Sequence, residues 1–273
     1  MSVTNLSKRR GEILDEIMAH HREQLPKVMA EVPLEDLRAM AALAPPPLDF
    51  ESAVRAPGVS LIAECKKASP SKGLLVRNYD PAELARIYEQ AGAQAISVLT
   101  DTRHFQGTLA HLRDVREAVR LAILRKDFMF HPYQLYEARV AGADAVLLIA
   151  AVLGDSDLAQ LQDLARKLGM AVLIEVHTEE ELGRVLPLAP SIIGVNNRNL
   201  QTFEVDFDNT ARLRALIPPE IAVVSESGLK TVADVSAMAD LGVDAILVGE
   251  TLVRSKDVAA TTRAFSSAGM SVL

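Results

Sequence analysis

The sequence contains one cysteine, no tryptophan and more acidic than basic side chains. Its 273 residues include 29 Lys and Arg against 36 Asp and Glu, which gives a formal net charge of -7. The single cysteine, Cys65, excludes an intrachain disulfide. Nucleic acids and anionic membranes usually bind basic surfaces, so we expect neither as a partner. A small phosphorylated ligand is compatible with this charge, because a local site can be positive on an acidic protein.

Long apolar runs and cofactor motifs are also missing. No stretch approaches the roughly 20 apolar residues of a membrane span, and the opening MSVTNLSKRRG lacks the apolar segment of a secretion signal. We therefore expect no membrane association and a cytoplasmic location. The chain has no G-x-G-x-x-G, P-loop or H-E-x-x-H motif, and its six histidines lack metal-ligand spacing. Neither a metal nor a nucleotide cofactor is expected.

Eight short apolar runs recur along the chain, and most end at charged or small polar residues. They begin at Leu61, Ala95, Ala122, Ala145, Ala171, Ile192, Ala222 and Ala245. A continuous apolar run is typical of a strand buried on both faces, as in a parallel sheet whose strands alternate with helices. Eight such runs predict an α/β fold, a single (β/α)8 TIM barrel, with its chemistry where the strands end.

The first 58 residues do not follow this repeat. Apolar residues recur at helical spacing over 13–29, with an interruption expected at Pro26, and again over 34–43. We therefore expect two parts, an N-terminal helical extension (1–58) packed on a barrel domain (59–273).

Two roles are open for this extension. It could close one end of the barrel core, or it could roof the substrate site. Its paired histidines, His20 and His21, are expected to face solvent.

The first run carries a dense set of charges. Glu64 and Lys66 lie two residues apart and share one face of a strand, so Cys65 points the other way, toward the helices. Burial of the shared face would couple the ionisation of the two charged groups, with a structural ion pair at the rim as the alternative. The following Ser69-Pro-Ser-Lys-Gly stretch suits an anionic ligand. Its match to S-x-x-K is accidental, because the companion motifs S-D-N and K-T-G are absent.

Three later runs end in candidates for acid, base and hydroxyl recognition. Apolar surroundings would lower the pKa of the Lys126 amine, which permits proton donation or a Schiff base with a carbonyl substrate. Glu175 lies in an apolar run, where a carboxylate is costly unless it is paired or functional. Asn196 offers fixed donors and an acceptor for a hydroxyl, with a loop-capping role as the alternative.

Two turns near the end of the chain favour a phosphate site. Ser225-Glu226-Ser227-Gly228 follows the seventh run and Gly249-Glu250 follows the eighth. Barrels commonly bind phosphate between these two loops, on backbone N–H groups at a helix N-terminus. We therefore predict a phosphorylated substrate, although both stretches could also be simple tight turns.

In this order the motifs resemble those of the indole-3-glycerol phosphate synthase family, which closes the indole ring in tryptophan biosynthesis. The matching stretches are IAECKKASPSKG, SVLTD with the following Phe105-Gln106-Gly107, LRKDF, GADAVLLI, LIEV, IGVNNRNL, SESG and LVGE. The resemblance implies a free-standing carboxy-lyase, since no second barrel follows. It also implies the substrate 1-(2-carboxyphenylamino)-1-deoxyribulose 5-phosphate, and indole-3-glycerol phosphate, carbon dioxide and water as products.

The resemblance further implies roles for individual residues. Lys126 matches the lysine usually given the role of acid, and Lys66 matches one that contacts the substrate carboxylate or phosphate. The division of steps between the two stays open. The other expected catalytic positions are Glu64, Glu175, Asn196, Glu226 and Ser227.

The resemblance also implies two sets of binding residues. Contacts to the substrate and its phosphate are expected from Lys66, Ser69, Arg198, Ser227, Gly228, Gly249 and Glu250. Glu250 stands where some relatives have serine, so only its backbone N–H is expected to serve. The apolar walls of the ring pocket are expected from Pro70, Phe105, Phe128, Leu147 and Leu200.

Two other functions are open on the residues alone. One is a sugar-phosphate aldolase or isomerase that uses Lys126 as a Schiff base. The other is a phosphate-binding or regulatory barrel without turnover. The second explains poorly why four charged residues lie at strand ends, where unpaired charge destabilises the fold.

Overall fold

The computed structural model describes residues 3–199 and 205–270, with side chains from residue 13 to 269 outside the same gap. Eight parallel strands close into a barrel in which each strand pairs with its sequence neighbours and the last pairs with the first. They are β1 (Ser60–Cys65), β2 (Ala95–Leu99), β3 (Ala122–Lys126), β4 (Ala145–Ile149), β5 (Ala171–Val176), β6 (Ile192–Asn196), β7 (Ala222–Glu226) and β8 (Ala245–Val248). Each predicted run forms one strand, and the TIM barrel is confirmed.

Helices precede the barrel and alternate with its strands. Those before β1 are α1 (Val3–Glu31), α2 (Leu34–Leu43) and α3 (Phe50–Val54). Those after it are α4 (Pro81–Gln90), α5 (Leu109–Ala118), α6 (Pro132–Val140), α7 (Asp155–Lys167), α8 (Glu179–Val185), α9 (Asp208–Arg214), α10 (Val232–Asp240), α11 (Glu250–Val253) and α12 (Val258–Met270). A 3₁₀ turn, Leu186–Leu188, extends α8, and Ala68–Ser69 pairs with Gly73–Leu74 in a small hairpin after β1. Among the described helices none is long and apolar enough to cross a membrane.

Alternate residues of each strand face two different cores. In β1, Leu61 and Cys65 pack against the surrounding helices, whereas Ile62 faces the barrel interior. The orientation expected for Cys65 is therefore correct. Its thiol lies 3.8 Å from the carbonyl of Pro81, and burial raises the pKa of the thiol well above its ordinary value. A thiol that stays protonated at neutral pH is a core residue and not a nucleophile.

Small residues at the starts of the strands make room for α3 at the amino end of the barrel. Phe50 is 1% exposed and Val54 is fully buried, and both belong to the interior core. The first residues of five strands pack in the same core as these two side chains, namely Ala95, Ala122, Ala145, Ala222 and Ala245. Because alanine leaves the base of the barrel wide, the two larger side chains of α3 fill it.

Helix α1 lies at the opposite end, over the carboxyl ends of the strands. Its Ile17 and Met18 are buried against the interior core. The extension therefore reaches both ends of the barrel, whereas the sequence offered the two positions only as alternatives.

The break expected at Pro26 is wrong, because α1 continues through it to Glu31. Proline removes one backbone donor and crowds the carbonyl four residues earlier, which can kink a helix without ending it. The phenol of Tyr133 on α6 donates to the carbonyls of Val28 and Val32, at 3.2 Å and 2.9 Å, and so fixes the segment after the proline.

Candidate active site

The predicted site residues within the described ranges surround one cavity at the carboxyl ends of the strands. They are Glu64, Lys66, Ser69, Pro70, Phe105, Lys126, Phe128, Leu147, Glu175, Asn196, Arg198, Glu226, Ser227, Gly228, Gly249 and Glu250. Leu200, predicted for the ring pocket, lies outside the described residues. The barrel thus brings together residues that are up to 186 positions apart in the chain, from Glu64 to Glu250. Their roles in binding and chemistry stay predictions.

Lys126 lies between two carboxylates inside the barrel. Its Nζ donates to Oε2 of Glu226 at 2.5 Å and to Oε2 of Glu175 at 3.3 Å. The Glu226 and Glu175 side chains are 2% and 5% exposed, against 14% for the lysine. The two carboxylates hold the Lys126 ammonium group in one orientation, because such charge-assisted hydrogen bonds are stronger than neutral ones.

These acids overturn the expected pKa of Lys126. Burial alone would lower the pKa of its amine, but the carboxylates of Glu226, Glu175 and Glu64 outweigh burial and raise it above the ordinary lysine value. The expected lowering is wrong because it considered the apolar walls without the nearby acids. Burial raises the pKa of Glu226 to about 7, with Glu175 adding to the effect and Lys126 opposing it. Near neutral pH the lysine is therefore charged, and the Glu226 carboxyl group titrates.

A second lysine–glutamate pair lies at the end of β1. Nζ of Lys66 is 2.6 Å from Oε1 of Glu64, whose side chain is 2% exposed. The lysine is more open, at 17%, and it also lies 5.9 Å from the centre of the Phe105 ring. Lys66 therefore presents a positive charge beside an aromatic wall.

Two glycines make room for the carboxylates. A Cβ atom at Gly194 would collide with Oε1 of Glu226, and one at Gly249 would collide with Oε1 of Glu64. Gly194 lies on β6 beside Glu175 of β5. The absence of a side chain at these two positions allows the acids to occupy the interior of the barrel.

Asn196 extends the acid cluster along the rim. Its amide donates to Oε1 of Glu175 at 3.0 Å, and its Oδ1 accepts the backbone N–H of Arg198 at 2.9 Å. Behind it, the amide of the buried Asn209 donates to the Asn196 carbonyl at 3.1 Å, and the His177 ring contacts the same carbonyl at 2.7 Å. The asparagine is thus held from both sides, with its amide pointing toward the cavity.

The turn after β7 has an unusual backbone. Ser227 and Gly228 are consecutive residues with left-handed φ values of 67° and 88°. This conformation is costly for serine and needs support from its neighbours. The fully buried Asn197 supplies it, because its amide donates to the Ser227 carbonyl at 3.2 Å and to the Ser225 hydroxyl at 3.1 Å. Asn197 was not among the predicted site residues, and nothing in the Asn-Asn-Arg-Asn run distinguishes it from its neighbours.

An aromatic wall forms the other side of the cavity. The rings of Phe105 and Phe128 lie 6.3 Å apart, and Pro70 and Leu147 also line the cavity. Five further apolar residues that line the cavity were not among the predicted site residues, namely Leu99, Ile149, Leu229, Leu247 and Val248. Four of them lie within the strands β2, β4 and β8, where an apolar run gives no sign that separates a cavity residue from a core residue.

The expectation that both paired histidines face solvent is wrong for His21. Its side chain is only 14% exposed, and its Nε2 lies 3.0 Å from Oδ2 of Asp101. The two residues are 80 positions apart, so no local pattern could have signalled the contact.

No cluster of three or more metal-binding side chains occurs within residues whose positions the structure describes. The site is instead built from amines, carboxylates and amides, whose chemistry is proton transfer and anion binding.

A closed (β/α)8 barrel that gathers two lysines and four glutamates into one cavity at its carboxyl face has the architecture of a barrel enzyme. The family model for indole-3-glycerol phosphate synthase matches residues 14–265. The chain belongs to the indole-3-glycerol phosphate synthase family.

Relatives from three genera match most of the chain. The indole-3-glycerol phosphate synthase of Dehalococcoides mccartyi (strain CBDB1) is 49% identical over 255 residues, which are 92% of this chain and 98% of the relative. That of Roseiflexus sp. (strain RS-1) is 49% identical over 260 residues, 92% and 97% of the two chains. That of Mycobacterium avium (strain 104) is 48% identical over 257 residues, 94% of each.

Solved structures with lower identity share the barrel. Thiamine phosphate pyrophosphorylase from Pyrococcus furiosus superposes with a TM-score of 0.62 at 15% identity, covering 82% of this chain and 100% of that chain. The N-acetylmannosamine-6-phosphate 2-epimerase of Clostridium perfringens gives 0.59 at 17% identity, covering 75% and 90%. At such identities the likeness shows the fold alone.

Proposed function

We propose that the chain catalyses the reaction for which its family is named. The substrate 1-(2-carboxyphenylamino)-1-deoxyribulose 5-phosphate is converted to indole-3-glycerol phosphate, carbon dioxide and water. The observation that carries this proposal is the lysine held by Glu175 and Glu226 at the floor of a cavity with an aromatic wall. The reaction balances without an oxidant or reductant, so we propose no cofactor. As a tryptophan-pathway enzyme it is proposed to act in the cytoplasm.

Ring closure requires an activated ketone. The ring carbon that bears the carboxylate attacks the ketone carbon poorly unless the ketone oxygen receives a proton or a strong hydrogen bond. We assign this task to Lys126, because the neighbouring acids keep its amine charged and fix its direction. The new carbon–carbon bond forms as the carbonyl π electrons move to the oxygen, which becomes a hydroxyl.

Two steps then restore aromaticity, the loss of carbon dioxide and the loss of water. Carbon dioxide leaves, and the electrons of its bond return to the benzene ring. The hydroxyl leaves as water after it receives a proton, while the carbon next to the ring nitrogen loses one. Glu175 is suited to this transfer, because it contacts both Lys126 at 3.3 Å and Asn196 at 3.0 Å. Lys66 is the second lysine of the cavity, and its amine is the other candidate proton donor. Single-turnover rates of Lys66→Ala and Lys126→Ala show which lysine acts in ring closure and which in dehydration.

Substrate binding is proposed to use the two sides of the cavity. The phosphate is bound by the backbone of Ser227 and Gly228 together with Gly249 and Glu250, where the short helix α11 begins. Ser69 and Arg198 are proposed as further contacts to the anionic groups, and Asn196 as the partner of a substrate hydroxyl. The benzene ring packs on the side formed by Pro70, Phe105, Phe128 and Leu147.

The Schiff-base alternative conflicts with the charge of Lys126. Imine formation needs a neutral amine as the nucleophile. The acids around Lys126 raise its pKa and so hold the amine in the charged form. Borohydride treatment in the presence of a keto-sugar phosphate is therefore expected to leave Lys126 unmodified, and covalent trapping there would favour the aldolase reading.

The proposed function is tested by direct turnover. The purified chain is mixed with the proposed substrate, and indole fluorescence and released carbon dioxide are followed together. We expect both products at a one-to-one ratio. Failure to form indole with correctly folded protein, or carbon dioxide release without indole, would contradict the proposal.

A further inference from the structure

Helix α1 brings His21 to the carboxyl ends of two barrel strands, next to residues that line the cavity. The imidazole Nε2 of His21 lies 3.0 Å from Oδ2 of Asp101 and 3.6 Å from Oδ1 of Asp127. Asp101 follows the end of β2 and Asp127 follows the end of β3, and neither aspartate side chain is more than 3% exposed. A single histidine from outside the barrel therefore joins the carboxyl ends of two neighbouring strands.

Each of these aspartates holds the backbone of an aromatic residue of the cavity. Oδ1 of Asp101 accepts the N–H of Phe105 at 2.9 Å, and Oδ1 of Asp127 accepts the N–H of Phe128 at 2.9 Å. The imidazole also packs directly on Phe128, with ring centroids 5.8 Å apart. The two phenylalanine rings that face the cavity are thus tied to one imidazole through short, buried contacts.

We propose that His21 is a positioning residue for this aromatic wall. By contacting Asp101 and Asp127 and packing on Phe128, it sets the spacing of Phe105 and Phe128 that receives the benzene ring of the substrate. The inference rests on the synthase activity proposed above and adds a residue of the N-terminal segment to its recognition of the ring.

The charges around His21 support this contact. Burial alone would lower the pKa of the imidazole, but the hydrogen bond with Asp101 and the charge of Asp127 raise it, with Arg125 opposing. A charged imidazole between two aspartates binds more strongly than a neutral one. Arg125 itself donates to Oδ2 of Asp127 at 2.9 Å, so the two carboxylate oxygens of this aspartate face different partners, Oδ2 the arginine and Oδ1 the histidine.

A histidine that only attached α1 to the barrel would act differently from one that positions the ring wall. Loss of an attachment would weaken all ligands equally, or would lower stability alone. Loss of a positioning contact would weaken ligands at the aromatic side and leave the phosphate side, formed by Ser227 and Gly228, unchanged. Two small ligands distinguish these cases, one that resembles the aromatic part of the substrate and one that resembles its phosphate.

The test is calorimetric binding of anthranilate and of inorganic phosphate to four proteins. These are the wild type, His21→Ala, His21→Gln, whose amide can replace the Nε2 contact, and the control Lys27→Ala. Lys27 lies on the same helix in an exposed ion pair with Glu23. We expect His21→Ala to bind anthranilate about tenfold more weakly, about 1.4 kcal/mol, with phosphate affinity unchanged. His21→Gln should recover most of the loss, and the control should match the wild type.

Turnover is measured on the same proteins. His21→Ala should raise KM for the full substrate about tenfold and change kcat by less than threefold, with thermal unfolding used to confirm folding. Equal weakening of both half-ligands, or unchanged anthranilate affinity in a folded His21→Ala protein, would overturn the inference. If the wild type binds anthranilate but forms no indole, that result contradicts the proposed function. The comparison of anthranilate and phosphate affinities then still tests the role of His21. Wild-type protein that does not bind anthranilate would overturn the ring placement itself.

Discussion

At the scale of single residues, the ionisation of the site depends on which carboxylates lie next to which lysine. Lys126 and Lys66 face three carboxylates, and burial raises the pKa of Glu226 among them to about 7. The sequence could predict that these groups lie together, because parallel strands end at the same level of a barrel. It could not predict the direction of the Lys126 pKa, because that depends on distances of a few ångströms to each acid.

This residue-level picture predicts a pH dependence. Because the pKa of Glu226 is raised, the carboxyl group keeps its proton below about pH 7 and ionises above it. The ionised form is the one that orients the Lys126 ammonium and can accept a proton, so kcat/KM should fall as the pH is lowered through 7. In Glu226→Gln this acid limb should disappear or move, since glutamine does not titrate. A pH profile of kcat/KM measures the free enzyme and provides the check, and an identical limb in both proteins would exclude Glu226 as its source.

At the scale of elements, the turn after β7 could be predicted from the sequence, but the contacts that support its backbone could not. The Ser-Glu-Ser-Gly motif indicated a phosphate loop, and the structure places that turn at the cavity. The support for its left-handed residues comes from Asn197, a fully buried side chain at the end of the neighbouring strand. Likewise, the contacts of α1 with Asp101 and Asp127 join segments that no local pattern connects.

The turn provides a matched pair of substitutions. Gly228 has φ 88°, and a Cβ atom there would meet Val205 and Phe207. Gly242 has φ 69° and open space around it, and it lies in the turn before β8 at the amino end of the barrel. Gly242→Ala should lower stability by about 1 kcal/mol, because left-handed φ disfavours a side chain, and Gly228→Ala should lower it further, because its Cβ also crowds Val205 and Phe207. Only Gly228→Ala should raise KM, about tenfold, with kcat little changed. An equal KM for the two variants would argue against phosphate binding at this turn.

At the scale of the whole molecule, the N-terminal segment contributes to both ends of the barrel. Helix α3 fills the base with Phe50 and Val54, and α1 reaches the rim with His21. The sequence predicted helices over 13–29 and 34–43 but not α3, and it left open which end of the barrel the segment covers; the structure places parts of it at both ends. The short α3 follows a proline-rich stretch with little helical periodicity of its own, so its place in the core depends on the barrel that surrounds it.

This arrangement separates stability from catalysis. Phe50→Ala should lower the free energy of unfolding by about 3 to 5 kcal/mol, the usual cost of removing a buried phenylalanine. Its KM should stay at the wild-type value, because the base lies at the opposite end from the cavity. Denaturant unfolding and steady-state kinetics below the transition supply the two readouts. A large change in KM with little loss of stability would contradict the assignment of the two ends.

The measurement that most directly tests the account is the turnover of Lys126→Ala beside the wild type and a surface control, Lys167→Ala, whose side chain is 71% exposed. With folding verified by circular dichroism, we expect kcat for indole formation to fall more than a hundredfold in Lys126→Ala, the range for loss of a general acid. Glu175→Gln should fall by a similar factor, and the control should be unaffected. A Lys126→Ala protein that forms indole within a few fold of the wild-type rate would contradict the central claim that this buried lysine drives ring closure.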